Sequence, residues 1–298
     1  MVQQYPIQCL SYRLRSAARY AHSAGRPRNI LISCDSDSVE ITQLVSDQTL
    51  NWEGPQQMIF IRSVLFNVLF FGGSVFIVLL LVLTLPFPRR VLNRGFHLWM
   101  VYFMWTLKAV AGLSHEVRGQ ENIPQGPALF ASKHQSAWDT GIFFLLLDDA
   151  AYVLKKQLLS IPFYGWLLKK GNMVAIDREG GSSALKQMVR DGRDVIEDGR
   201  QLVIFPEGTR SNPGNRLPYH PGIAAIYKQA GVSTIPVALN SGVFWGRRSF
   251  AKKPGKIIIE FLEPMPKGMD RKVFMAELEK RIEDASNRLV AEAVENQD

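Results

Sequence analysis

The sequence predicts an α/β domain with a single mixed, largely parallel sheet and flanking helices, preceded by a long apolar helical segment. Three observations predict it. The run from Ser63 to Phe87 is almost wholly apolar and carries no charge. Beyond about residue 113, apolar runs of strand length alternate with helix-period patterns. Several of those runs end directly in turns bearing Arg, His, Gly or Asp, where α/β proteins place their ligands.

The 298 residues are 47% hydrophobic and 21% charged, which excludes both a disordered chain and a polytopic membrane bundle. With 35 Lys and Arg against 27 Asp and Glu, the net charge is +8, a surplus suited to an anionic surface. No nucleic-acid motif of definite spacing accompanies that charge. A lipid surface is therefore the expected partner, and nucleic acid is not. The two cysteines, Cys9 and Cys34, lie far from the α/β region, which therefore has no thiol nucleophile and no thiolate metal site.

Residues 1–57 are polar, with Arg13, Arg15, Arg19, Arg26 and Arg28 ahead of the first acid, Asp35. The stretch resembles a transit peptide in composition but lacks a clear amphipathic repeat, so it is read as a disordered or non-native extension before Met58. Residues 58–113 are read as a membrane anchor. The charge-free run would extend about 37 Å as a helix, enough to cross a hydrocarbon core. Arg62 precedes it, whereas Arg89, Arg90 and Arg94 follow it, so the C-terminal side is expected to face the cytoplasm. A second apolar stretch, Phe96–Leu113, is rich in aromatics and broken by His97 and Lys108. It reads as an interfacial or re-entrant helix, with an amphipathic helix packed on the soluble domain as the alternative.

Residues 114–298 form the α/β domain. Strands are expected at Ala128–Ser132, Ala151–Leu154, Met173–Ile176, Leu202–Phe205, Thr234–Leu239 and Lys256–Phe261. Helices are expected at Thr140–Leu147, Ser182–Glu197, Gly222–Ala230 and Arg271–Val294.

Four constellations follow predicted strands. In the first, Ser132 to Asp139 (SKHQSAWD), His134 and Asp139 lie about 140° apart on a continuous helix. They meet only if the chain turns between them, as at a strand-to-helix junction. There Asp139 would hold one imidazole nitrogen and leave the other basic. A loop-capping structural histidine is the alternative. In the second, Phe205 to Arg210 (FPEGTR), Gly208 permits close backbone approach, Thr209 offers a hydroxyl and Arg210 a planar fork matched to phosphate, with an ordinary turn and a solvated Arg as the alternative. The third, Ile176-Asp177-Arg178, puts a cation at another strand end, where a surface ion pair is the common fate. The fourth, Thr234 to Val237, holds Pro236, expected at an edge, a strand start or a bulge, where it would expose an apolar wall, with plain core packing as the alternative.

In this order, and with the linker from Lys155 to Leu158 through Pro162, Gly165 and Trp166, residues 110 to 265 resemble the glycerolipid acyltransferases of the 1-acyl-glycerol-3-phosphate (PlsC-type) group. The resemblance implies His134 as general base and Asp139 as its orienting partner. It implies a glycerophosphate site from Arg178, Glu207, Gly208, Thr209 and Arg210, with Pro236 in the fourth block. It also implies lysophosphatidate as acceptor, acyl-CoA or acyl carrier protein as donor, and no metal or other cofactor. The segment Val174-Ala175-Ile176-Asp177 departs from the group's usual Phe-Ile before the arginine, which bears on the acyl pocket more than on the phosphate contact.

A thioester is already activated, so the reaction needs a base and positioning rather than a covalent intermediate. A helix N-terminus near Ser136 is the candidate for oxyanion support. Other readings stay open: transfer to another lysolipid such as lyso-ornithine lipid, or a lysophospholipase or thioesterase with Ser136 as nucleophile. No Gly-x-Ser-x-Gly elbow supports the hydrolase. A non-catalytic lipid-binding protein is the third rival.

Overall fold

The computed structural model describes residues 54–295 except residue 178. The expectation for residues 1–53 lies outside the described residues. Helix α1 (Gly54–Val82) starts where Pro55 occupies its first turn and stops before Pro86 and Pro88, which cannot continue a helix. The expected run to Phe87 is shortened for that reason. Helix α2 (Arg89–Ala111) then returns along α1 and ends at Gly112, whose left-handed backbone (φ 68°) lets its N–H reach the carbonyls of Leu107 and Lys108.

By length and composition α1 is apolar enough to cross a membrane. Outward residues Val68, Phe71, Val75 and Phe76 are 62–64% exposed. The stretch expected at an interface forms the C-terminal part of α2, which packs by one face only. Leu92, Phe96, Met100, Phe103 and Leu107 bury one face, while Leu98 and Trp105 stay exposed on the other. Trp99 Nε1 donates to Ser74 Oγ and Tyr102 Oη to the Leu69 carbonyl, joining the two helices. At one end of the pair, Arg89 and Asn93 donate to Asp149 at 2.8 Å each. At the other end, the N–H of Lys252 donates to Ser63 Oγ at 2.9 Å. Both ends of the hairpin are thus fastened to the α/β domain.

The remaining elements are β1 (Leu113–Arg118), β2 (Ala128–Ser132), α3 (Asp139–Leu146), β3 (Ala150–Lys155), α4 (Tyr164–Lys170) and β4 (Val174–Ile176). They continue with α5 (Gly181–Glu197), β5 (Gln201–Ile204), α6 (Gly222–Ala230), β6 (Ser233–Leu239), α7 (Ser241–Phe244), β7 (Gly255–Phe261) and α8 (Arg271–Glu295). Among the described residues, seven strands form one mixed sheet in the order β1-β7-β6-β2-β5-β3-β4. The five from β6 to β4 are parallel, and β7 runs antiparallel to β6. The central strands β2 and β5 are buried along their whole length, as their near-continuous apolar sequences require.

Chain connectivity takes β2 outward to β3 and β4, then returns to insert β5 beside β2 and to lay β6 on its other side. Three successive carboxyl ends, those of β6, β2 and β5, therefore stand together at the point where the strand order reverses. That is the usual ligand position in such sheets.

Candidate active site

Parallel register aligns Ala131 of β2 with Ile204 of β5, so the SKHQSAWD and FPEGTR loops leave the sheet side by side. Several contacts join them. The N–H of His134 donates to Glu207 Oε2 at 3.0 Å, and the N–H of Ser211 donates to the His134 carbonyl at 2.8 Å. The imidazole also stacks on the Phe205 ring, with centroids 4.1 Å apart.

Residues 133–138 are not helical, and Asp139 opens α3. This turn brings the imidazole and carboxylate together: His134 Nδ1 lies 3.1 Å from Asp139 Oδ2. The same oxygen accepts the N–H groups of Gln135 (2.7 Å) and Ser136 (2.8 Å), and Oδ1 accepts the hydroxyl of Ser241 at 2.6 Å. Asp139 is fully buried. A carboxylate only accepts, so Nδ1 carries a proton, and in the neutral ring Nε2 keeps its lone pair. Ser241 was not legible in the sequence, since it sits 102 positions away on α7, where only the fold brings it to Asp139.

His134 lines a cleft of about 710 Å³. Gly208, Thr209 and Arg210 line it as well, so the imidazole shares a cavity with a guanidinium. Gly208 has a left-handed backbone (φ 64°), which explains a glycine in this turn. Arg178 lies outside the described residues, although Ile176 and Asp177 line the cleft. The rest of the wall divides in two. One arm is apolar, with Tyr152, Leu168, Met173 and Met188, and burial pushes the phenol of Tyr152 well above its ordinary pKa. The other is basic and carries Lys155, Arg247 and Arg248. The two arginines follow α7 and belong to none of the four constellations.

Two expectations need correction. Glu207 does not face the cleft. Its side chain is fully buried, and Oε1 pairs with Lys133 Nζ at 2.7 Å. Lys133 also pairs with Glu283 of α8 at 2.7 Å, and the Tyr219 hydroxyl donates to Glu283. Burial pushes the Glu207 carboxyl above its usual range, and Lys133 opposes that shift. Lys133 and the His134 amide engage the two oxygens of Glu207, which turns this carboxylate away from the cleft that Arg210 lines. Pro236 is neither at a sheet edge nor on the cleft wall. It is buried in β6, between β2 and β7. Pairing with β7 begins only at Val237, so the missing N–H falls where the β7 ladder has ended.

The oxyanion expectation at Ser136 also changes, because the amides of Gln135 and Ser136 are both engaged by Asp139. Ser136 itself is fully buried and its Oγ accepts the Trp138 N–H, so it offers no exposed nucleophile. Among the described residues, no group of three or more His, Cys, Asp or Glu side chains is placed to hold a metal ion.

Comparison with known proteins adds independent findings. The family model described as Acyltransferase matches residues 114–240. A 1-acyl-sn-glycerol-3-phosphate acyltransferase of Pseudomonas aeruginosa is 37% identical over 194 residues, covering 65% of this chain and 76% of that one. The lyso-ornithine lipid O-acyltransferase of the same organism is 30% identical over 199 residues, covering 61% and 74%. In structure, the chain is similar to the 1-acyl-sn-glycerophosphate (LPA) acyltransferase, PlsC, of Thermotoga maritima, with a TM-score of 0.60 at 24% identity. That match covers 77% of this chain and 96% of the other.

Proposed function

Starting from the premise that this chain belongs to the acyltransferase family its relatives define, we propose that it acylates the free sn-2 hydroxyl of lysophosphatidate to give phosphatidate. The observation that carries this reading is the common cleft of His134, held by Asp139, and Arg210.

The residues divide the work as follows. Nε2 of His134 takes the proton from the attacking hydroxyl as its oxygen bonds to the thioester carbonyl carbon. Asp139 keeps the ring in register and balances the imidazolium. Collapse of the tetrahedral adduct breaks the C–S bond, and the imidazolium returns its proton to the departing sulfur. Arg210, with Gly208 and Thr209, holds the acceptor's phosphate, and Arg178 is assigned the same task. Such positioning lowers barriers by about 7–11 kcal/mol when geometry is right. The acyl chain occupies the apolar arm. The donor is acyl-CoA or acyl carrier protein.

The chain is membrane-associated through its apolar hairpin. Because Arg89 and Ser63 tie both ends of that hairpin to one domain, we place the exposed faces of α1 and α2 in the cytoplasmic leaflet, with the α/β domain on the cytoplasmic surface. Cysteine labels introduced at Gly54 and Thr84 should then react from the same side of a sealed vesicle.

The function is tested by supplying labelled acyl-CoA with lysophosphatidate or lyso-ornithine lipid to membranes carrying the protein. Labelled phosphatidate is the expected product. Preference for the ornithine lipid, or acceptor-independent release of fatty acid, would overturn the proposal.

A further inference from the structure

The basic arm of the cleft is not explained by the transfer chemistry. One phosphate held at the FPEGTR loop needs Arg210 and its neighbours. Yet Arg247 and Arg248, from a loop after a different strand, also line the cavity. Both are exposed, and neither has an ion-pair partner among the described residues. Arg248 adopts a left-handed backbone (φ 59°), a conformation that L-residues with large side chains rarely hold without compensation.

Compensation is visible around it. The loop runs between two anchored points, Trp245 and Lys252. Trp245 packs edge-on against Phe66 of α1, with ring centroids 5.6 Å apart. Lys252 is almost wholly buried, with Nζ 4.8 Å from the Trp245 centroid, 5.4 Å from that of Phe66 and 5.6 Å from that of Phe250. The ammonium donates to Asn67 Oδ1 at 2.6 Å and to the Phe250 carbonyl at 2.8 Å. Farther along, Phe250 packs on Phe60 of α1. The two arginines are therefore presented by a clamped loop and not by a free one. The clamp is the helix whose outer face is assigned to lipid.

Of the described carboxylates only Asp177 lines the cavity, against Lys155, Arg210, Arg247 and Arg248. Asp177 is itself paired with Lys156 at 3.6 Å. Unpaired guanidinium groups on one wall favour a phosphate ester.

We infer that Arg247 and Arg248 form a second phosphate-binding site on the cleft, separate from the FPEGTR loop. The inference rests on the proposed acyl transfer, whose acceptor carries a phosphate monoester and whose coenzyme A donor carries a diphosphate and a monoester. The site takes one of these groups and fixes its owner against His134.

The test replaces both residues, as Arg247→Gln with Arg248→Gln, in the full-length protein in detergent at fixed ionic strength. KM is then measured separately for acyl-CoA and for lysophosphatidate. A rise of about tenfold or more in one KM, with kcat within a few-fold, supports the site and identifies its owner as donor or acceptor. The Arg247→Lys, Arg248→Lys pair should recover part of the affinity, and unchanged melting of both variants shows that the fold is intact. Both KM values within twofold of the original would overturn the inference. Should the unaltered protein form no phosphatidate, the acyl-transfer reading fails on its own. Calorimetric binding of inorganic pyrophosphate then decides the site, since equal affinity in the original and the Gln pair would overturn it and a loss of about tenfold would support it.

Discussion

Glu207 accepts the backbone N–H of His134 at 3.0 Å with one carboxylate oxygen while its other oxygen pairs with the buried Lys133 at 2.7 Å. The acidic residue of the FPEGTR run is thus a strut between two loops. Lys133, immediately before His134, passes the load to Glu283 on α8.

Removing that strut should cost stability before it costs substrate affinity. For Glu207→Ala we predict a loss of about 3–5 kcal/mol, the usual consequence of stripping one partner from a buried ion pair. Chemical denaturation in detergent measures it. KM for lysophosphatidate in the surviving fraction should change less than kcat. A stable variant with selectively raised KM would return Glu207 to the substrate.

The apolar arm predicts a chain-length effect. Met173→Trp or Met188→Trp places a larger side chain on the wall of the cleft. Turnover of long acyl donors should fall about tenfold or more, with short donors much less affected. Rates across a series of acyl-CoA lengths check this, and a uniform loss at every length would contradict it.

Lys252 supplies a pH prediction. Burial pushes its ammonium down to about 8, from an ordinary value of 10.5. Between those values the unfolded chain binds the proton and the folded chain does not, so folding stability rises with pH across that window. The contribution is complete above about 10.5 and is lost as pH falls through about 8. Subtracting the stability–pH curve of Lys252→Met from that of the original protein isolates this slope. Parallel curves would refute the assignment.

Most of the α/β frame was readable because its strands are short apolar runs and its helices keep a 3.6-residue period. Gly222–Ala230 coincides with α6, and Ala128–Ser132 with β2. Strand β1 is not legible because Ser114, His115 and Glu116 break the apolar pattern, as befits a strand that, among the described residues, pairs with β7 alone. Helix α4 was hidden behind Pro162 in what reads as a linker. At the site, His134, Asp139 and Arg210 were legible because their spacing within a loop is a local property. The directions of Glu207 and Pro236 were not, since each depends on distant elements, α8 for one and β7 for the other. Arg247, Arg248 and Ser241 belong to no spaced motif and come to the cleft or its support only through tertiary packing.

The central claim is that His134 serves as the base for acyl transfer. Its most direct test is the turnover number of His134→Ala with saturating acyl-CoA and lysophosphatidate. A fall of about 10²–10⁴-fold with lysophosphatidate binding retained is expected; a turnover number within a few-fold of the original would rule His134 out as the base.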